Sequence, residues 1–356
     1  MSALRISVLD QSPVLAGSTP AQALANSLDL ARHVDALGYH RLWYSEHHAM
    51  DLLACTAPEI LITRAAAETK RIRVGSGGIM LPHYAPLKVA EVFRTLHAMF
   101  PDRIDLGIGR APGGGQLEAY ALRRDRNAPQ KDDFPQQLAE LRAFLDPSRW
   151  SMYADAKGPH PFSKIRVAPD APGSPQIWLL GSSMWSSVTA AQESLPYAFA
   201  HFFSAQGTRE AISHYQRSFV PTSAMQAPEA AIAIGVICAD THEEAEHLHA
   251  SVRLLQRRIR MDDRRPVAAP EDALRELAEL PTAPNPLFPF TAGPLDQPET
   301  EFPRYVVGTP AEVRDQLLHI TRELELHELI VNTITHSHEA RKKSYSLLAE
   351  VMELEA

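Results

Sequence analysis

The sequence predicts an α/β fold, specifically a (β/α)8 TIM barrel with long insertions, on three observations. Eight short apolar runs have strand composition, helical segments with clear start signals lie between them, and the unusual residues gather just after the runs. In a barrel the C-terminal ends of the strands form one mouth where chemistry collects, while the opposite rim serves stability. The same alternation also allows a doubly wound parallel sheet.

The runs fall at 4–9 (LRISVL), 41–45 (RLWYS), 72–79 (IRVGSGGI), 103–109 (RIDLGIG), 176–180 (QIWLL), 197–202 (YAFAHF), 230–238 (AAIAIGVIC) and 327–333 (HELIVNT). The first helix opens at Thr19-Pro20-Ala21-Gln22, a capping box with proline at the first helical position. Leu24, Leu28, Ala31 and Val34 then share a face, and Gly38 stands where a left-handed residue ends a helix. Thr241-His242-Glu243-Glu244 opens another, with Leu248, Val252, Leu255 and Ile259 at helical spacing. Thr309-Pro310-Ala311-Glu312 does the same ahead of Val313, Leu317, Ile320 and Leu324. Residues 146–175 and 262–303 break the rhythm as irregular insertions. The second is rich in proline (Pro266, Pro270, Pro281, Pro284, Pro286, Pro289) and reads as a lid or a surface excursion. A single barrel domain over 1–356 accounts for the whole length.

Composition narrows the function. A formal net charge of -8 with no block of basic residues argues against a nucleic-acid surface and leaves small molecules as the expected partners. Cys55 and Cys238 lie far apart with no CxxC pairing, which fits a reducing compartment and offers no thiolate metal site. The opening "MSALRISVLD" meets Arg5 and Asp10 before a signal-peptide core can form, and no apolar run reaches the ~18 residues of a membrane span. A cytoplasmic protein without a membrane anchor is expected.

Four segments at the predicted mouth carry the chemistry. In "SEHH" (Ser45 to His48), side chains alternate along an extended chain, so Glu46, His47 and His48 converge poorly on one ion, and no HExxH spacing occurs. No metal is expected. A single histidine pointing into the mouth can still act as a proton donor, a proton acceptor or a hydrogen-bonding group. "GSGG" (Gly75 to Gly78) weakens its strand, either so that a planar ligand lies against the backbone or so that neighbouring strands pack. "LLGSSMWSSVTAA" (Leu179 to Ala191) reads as strand, turn and helix, where Gly181, Ser182 and Ser183 form an anion site or an ordinary serine cap. "DLGIGRAPGGG" (Asp105 to Gly115) is a poor dinucleotide fingerprint, because Pro112 stands where GxGxxG needs its third glycine. Arg110 directly after the strand suits a bidentate phosphate contact, or pairing with a nearby carboxylate.

Together these segments resemble the bacterial luciferase family of flavin-dependent monooxygenases over nearly the whole chain. The carriers are "GYHRLWYSEHH" (Gly38 to His48), "TKRIRVGSGGIMLPHYAPLKVAE" (Thr69 to Glu91), "FPDRIDLGIGRAPGG" (Phe100 to Gly114) and "LLGSSMWSSVTAAQ" (Leu179 to Gln192). The stand-alone luciferase-like oxidoreductases match better than the light-emitting heterodimers. The resemblance implies that His47 faces the reactive edge of the flavin with Glu46 and His48 supporting its loop. Gly77 and Gly78 then back the ring, while Arg110 and the Gly181-Ser182-Ser183 turn hold the phosphate. It also implies a mobile loop at 262–303 and a homodimer. The light emitters' reactive cysteine is replaced by Gly109, so light emission is not expected.

The implied reaction is insertion of one oxygen atom from O2 into a small organic substrate, such as an aldehyde or alkane, through a flavin C4a-peroxide. FMNH2 would come from a separate reductase. Two alternatives keep the barrel: hydride transfer with the deazaflavin F420, and flavin binding without turnover. A zinc hydrolase is the reading that metal analysis would test.

Overall fold

The computed structural model describes residues 4–123, 132–155, 158–280 and 301–355. Among these, nine parallel strands form one sheet, eight of them closed into a barrel. The ring runs β1 (Arg5–Asp10), β2 (Arg41–Tyr44), β3 (Arg73–Met80), β4 (Ile104–Gly109), β5 (Gln176–Gly181), β6 (Tyr197–Phe199), β7 (Ala230–Cys238) and β9 (Glu328–Asn332), which pairs back onto β1. These eight are the runs the sequence singled out, and the closed ring excludes the doubly wound alternative.

The ninth strand, β8 (Tyr305–Gly308), was not expected. It lies outside the ring and pairs only with Gly235–Cys238, the far half of β7, whose near half pairs with β6 and β9. β7 is buried along all nine residues, as suits a strand covered on both faces.

The helices between strands are α1 (Pro20–Ala36), α2 (Pro58–Glu68), α3 (Pro86–Met99), α4 (Gln116–Leu122), α5 (Phe134–Leu145), α6 (Met184–Gln192), α7 (Thr208–Ser218), α8 (His242–Arg260), α9 (Pro270–Glu279), α10 (Pro310–Glu323) and α11 (His338–Val351). The predicted caps appear in graded form. Thr309 and Glu312 make the full reciprocal box on α10, whereas Thr19 and Thr241 each accept one backbone N–H. Gly38 adopts φ +83°, the left-handed conformation that stops α1.

Two expectations need correction. Ile259 is exposed, because α8 turns its last apolar position to solvent. Nor are the insertions wholly irregular: 146–175 contains short 3-10 helices at Pro147–Tyr153 and Pro161–Lys164, and 262–303 contains α9. The rest of the expected lid, 281–300, lies outside the described residues.

Strand alternation separates two apolar layers. Outward residues such as Val8, Leu42, Ile232 and Val331 pack under the helices, while Leu9, Trp43, Trp178, Ala198, Ala231, Ala233 and Ile330 point along the barrel axis. The N-terminal end of the barrel is closed by charge. Arg41, 1% exposed, lies 2.7 Å from Asp105 and 2.6 Å from Glu328, and its guanidinium stacks 4.7 Å from the Trp178 ring. Above that plug Trp43 and Trp178 meet edge to face, and open space lies on their C-terminal side.

Candidate active site

A cavity of about 640 Å³ opens at that end, lined from the strand termini and the loops that follow them. This size suits a cofactor or small-molecule site.

After β2 the chain distributes its three polar residues unequally. Glu46 is buried, and its carboxylate accepts hydrogen bonds from Tyr84 Oη (2.7 Å), from His48 Nε2 (2.6 Å) and from the Met80 backbone N–H (3.0 Å). His48 is further held by its backbone N–H on the Gly113 carbonyl at 2.8 Å. Both side chains therefore tie the β2 loop to the end of β3 and to the loop after β4. His47 differs. It lines the cavity, its Nδ1 lies 3.1 Å from Ser45 Oγ, and Nε2 makes no hydrogen bond to a described residue. Burial, with a smaller electrostatic contribution from neighbouring His48, pushes its pKa down to about 4, so the ring is neutral at neutral pH.

Gly77 and Gly78 of β3 join by a cis peptide bond and both line the cavity. A Cβ on Gly77 would come 2.7 Å from Leu9 Cδ1 and 2.9 Å from Trp43 Cβ. One on Gly78 would come 2.7 Å from the Gly107 carbonyl oxygen. Only glycine leaves this wall as bare backbone.

On the facing rim, Arg110 follows β4 and spreads its guanidinium over the Trp185 ring at 4.5 Å, with Nη2 3.6 Å from Asp132. That carboxylate pair is exposed and long, worth little by itself. Gly109 lies in the cavity wall, where a Cβ would be 3.2 Å from Met80 Cε.

Gly181, Ser182 and Ser183 line the same rim, and Ser183 is the N-cap of α6. Its side chain makes no capping hydrogen bond, so the ordinary serine cap is not realised and the leading N–H groups of α6 keep their capacity for an anion. Ser186 Oγ is engaged elsewhere, 2.7 Å from the Ser183 carbonyl oxygen and 3.0 Å from Tyr197 Oη.

All the residues expected at the mouth are thus near it; Glu46 and His47 both line the cavity, but Glu46 and His48 are bound into the frame by hydrogen bonds while His47 Nε2 is not. Tyr84, Trp185 and the inward alanines Ala198 and Ala233 were given no role. Tyr84 and Trp185 stand inside quoted segments, and strand alternation marks the alanines as inward-facing. Among the described residues, no three His, Cys, Asp or Glu side chains gather to hold a metal, and no helix is long and apolar enough to cross a membrane.

Comparison with known proteins adds independent information. The model of the luciferase-like monooxygenase family matches residues 4–328. A luciferase-like monooxygenase of Escherichia coli (strain K12) is 36% identical, covering 98% of this chain and 97% of its own. The crystal structure of apo-MsnO8 superposes with a TM-score of 0.86 at 44% identity, covering 99% of this chain and 98% of that one. More distantly, the oxygenating constituent of 3,6-diketocamphane monooxygenase from Pseudomonas putida, solved in complex with FMN, shares the fold. Its TM-score is 0.70 at 20% identity, with 98% of each chain covered.

Proposed function

This chain belongs to the luciferase-like monooxygenase family, and we propose that it binds FMNH2 and inserts one oxygen atom from O2 into a small organic substrate. The observation that carries the cofactor assignment is the meeting, in one cavity, of a bare glycine wall, an open helix N-terminus beside a cation, and a neutral histidine. Those groups fit a flavin mononucleotide: Gly77 and Gly78 present backbone to a flat ring, while Arg110, Ser182, Ser183 and the start of α6 present donors to a phosphate.

When bound, the reduced flavin supplies the activation of O2. The chain's own residues supply position and protons. His47 is neutral, Ser45 occupies Nδ1, and Nε2 is left to give, take or hold a proton at the cavity. Glu46, through Tyr84, His48 and the Met80 N–H, holds the loop that carries His47. The apolar walls below, with Phe202 and Phe203 at the rim, disfavour water where the oxygen is delivered.

The incomplete glycine fingerprint after β4 supports a separate reductase as the source of FMNH2. Two buried, free cysteines, Cys55 and Cys238, support a reducing, cytoplasmic setting.

The test is a comparison of FMN, riboflavin and F420 by quenching of flavin or tryptophan fluorescence, with oxygen uptake measured alongside a reductase. FMN is expected to bind much more tightly than riboflavin. Arg110→Ala should weaken FMN by about 10- to 100-fold while leaving riboflavin unchanged, the loss of a charge-assisted contact. Equal affinity for FMN and riboflavin would remove the phosphate site. F420 binding without oxygen uptake would replace the reaction with hydride transfer, and FMN binding without uptake would leave a carrier.

A further inference from the structure

The second half of α8 carries arginine without acid. Its acidic residues, Glu243, Glu244 and Glu246, stand in the first two turns, and Arg253, Arg257, Arg258 and Arg260 follow. Arg258 turns toward α9, where Glu276 Oε1 takes its guanidinium at 3.0 Å. Arg253, Arg257 and Arg260, at helical spacing, instead line a groove of about 460 Å³ between α8, the end of α9 and the entry to β8. There Arg304 adds a fourth guanidinium. Because β8 pairs with the far half of β7, outside the ring, the groove shares no lining residue with the barrel cavity.

A helix C-terminus favours cations in the last turn of α8. That does not account for Arg304, which comes from another element and brings like charge to the same place. Among the described residues no carboxylate pairs with Arg253, Arg260 or Arg304, and Arg304 Nη2 donates to the neutral Gln256 Oε1 at 2.9 Å. Arg257 is already engaged and adds its charge. Burial, then the charges of Arg304 and Arg257, pulls the Arg260 pKa below its ordinary value, and burial does the same to Arg304. Like charges gathered without a counter-charge repel, and a bound anion relieves that repulsion.

The remaining walls are flat or apolar. His249 stacks on Tyr305 with ring centres 5.5 Å apart, and Leu277, Leu280 and Pro303 complete the lining. Burial pushes the His249 pKa down to about 4, so this ring adds no charge at neutral pH. Glu246 Oε2 stands 3.7 Å from His249 Nδ1, about three turns along α8 from Arg260. A guanidinium presents its donors as a planar fork that meets two oxygens of one phosphoryl group, and several forks on one side suit a group with more than one charge.

We propose that this groove binds an organic anion with a phosphate or diphosphate at one end, its charge against Arg253, Arg260 and Arg304 and its uncharged part against the His249 and Tyr305 rings. The site lies outside the barrel and is distinct from the phosphate contact proposed at Arg110.

The experiment titrates pyrophosphate, ADP, phosphate and adenosine calorimetrically into the full chain saturated with FMN. Pyrophosphate and ADP are expected to bind about tenfold or more tighter than phosphate, and adenosine at least about 100-fold more weakly than ADP. Arg260→Gln should weaken pyrophosphate about tenfold or more, the exposed Arg253→Gln about threefold, and Arg110→Ala not at all. Pyrophosphate should raise the melting temperature of the parent chain but not of the Arg253→Gln/Arg260→Gln double variant. Since Arg253 is a surface residue, its single variant decides the matter if Arg260→Gln does not fold.

Absence of pyrophosphate binding, or binding untouched in both arginine variants, would overturn the inference. So would loss of binding in Arg110→Ala, which would put the anion at the start of α6. Adenosine binding as tightly as ADP would also overturn it, since the rings and not the arginines would then hold the ligand. The Arg110→Ala titration separates the two sites whether or not FMN binds.

Discussion

His47 differs from its neighbours because of what surrounds it, not because of its place in the chain. Glu46 and His48 are engaged on several sides, while His47 keeps Nε2 toward the cavity and is held neutral by burial. A neutral imidazole transfers or holds a proton near neutral pH without first shedding one. Substitution His47→Gln, which keeps a hydrogen-bonding side chain but not a titrating one, should lower kcat/KM about 10²- to 10⁴-fold and leave the FMN dissociation constant within about twofold. A variant with unaltered turnover would show that His47 fills space and no more. "SEHH" was legible as a functional stretch, and alternation correctly argued against three groups on one ion. Which of the three stays unengaged at the cavity was legible only through the family resemblance, since the residue pattern alone does not show the bonds from Tyr84 and the Met80 N–H, more than thirty residues away in sequence. Ser183 shows the same limit: its sequence fits a helix cap, yet its side chain makes no capping bond.

Elements were legible where one local pattern decides them. Six of the eight barrel strands place apolar residues both in the axial layer and under the helices, and that continuous pattern survives without knowledge of the partners. β8 did not, because four residues wedged between Pro303 and the α10 cap pair only with the far half of β7. α9 was hidden in a segment read as proline-broken, although Pro270 sits at the first helical position, where proline is well tolerated. The join between β2, β3 and the short 3-10 helix at Leu81–His83 rests on the Glu46 carboxylate, with Tyr84 as one of its three donors. Tyr84→Phe removes a hydrogen bond to a buried carboxylate and keeps the ring, so it should cost about 1.5–3 kcal/mol in urea unfolding. Because the same carboxylate fixes the loop of His47, the variant should also lower kcat/KM. A stability loss with unchanged kinetics would separate the frame from the catalytic loop.

Over the whole molecule, burial of histidine sets the pH response, a property that sixteen histidines in a sequence do not reveal. Burial pushes His40 and His47 down to about 4, and lowers His33, His201 and His249 below their ordinary value. In the unfolded chain these groups titrate near 6.5, so between about pH 6.5 and 4 the unfolded state binds more protons than the folded one. Stability therefore rises with pH through that window and is fully present above it. On acidification it is lost well before carboxylates such as Asp105, held low by Arg41 and Arg73 against the cost of burial, begin to protonate. The melting temperature should hold steady from pH 8 to 7 and fall by roughly 5 °C by pH 5, allowing for partial solvent screening of the less buried rings. His47→Gln, the variant of the kinetic test, should flatten part of that fall, since it removes one group whose protonation opposes folding. A melting temperature unchanged between pH 7.5 and 5 in the parent chain would mean that these rings accept protons in place, and that the neutrality of His47 at the cavity has to be sought in local contacts and not in burial.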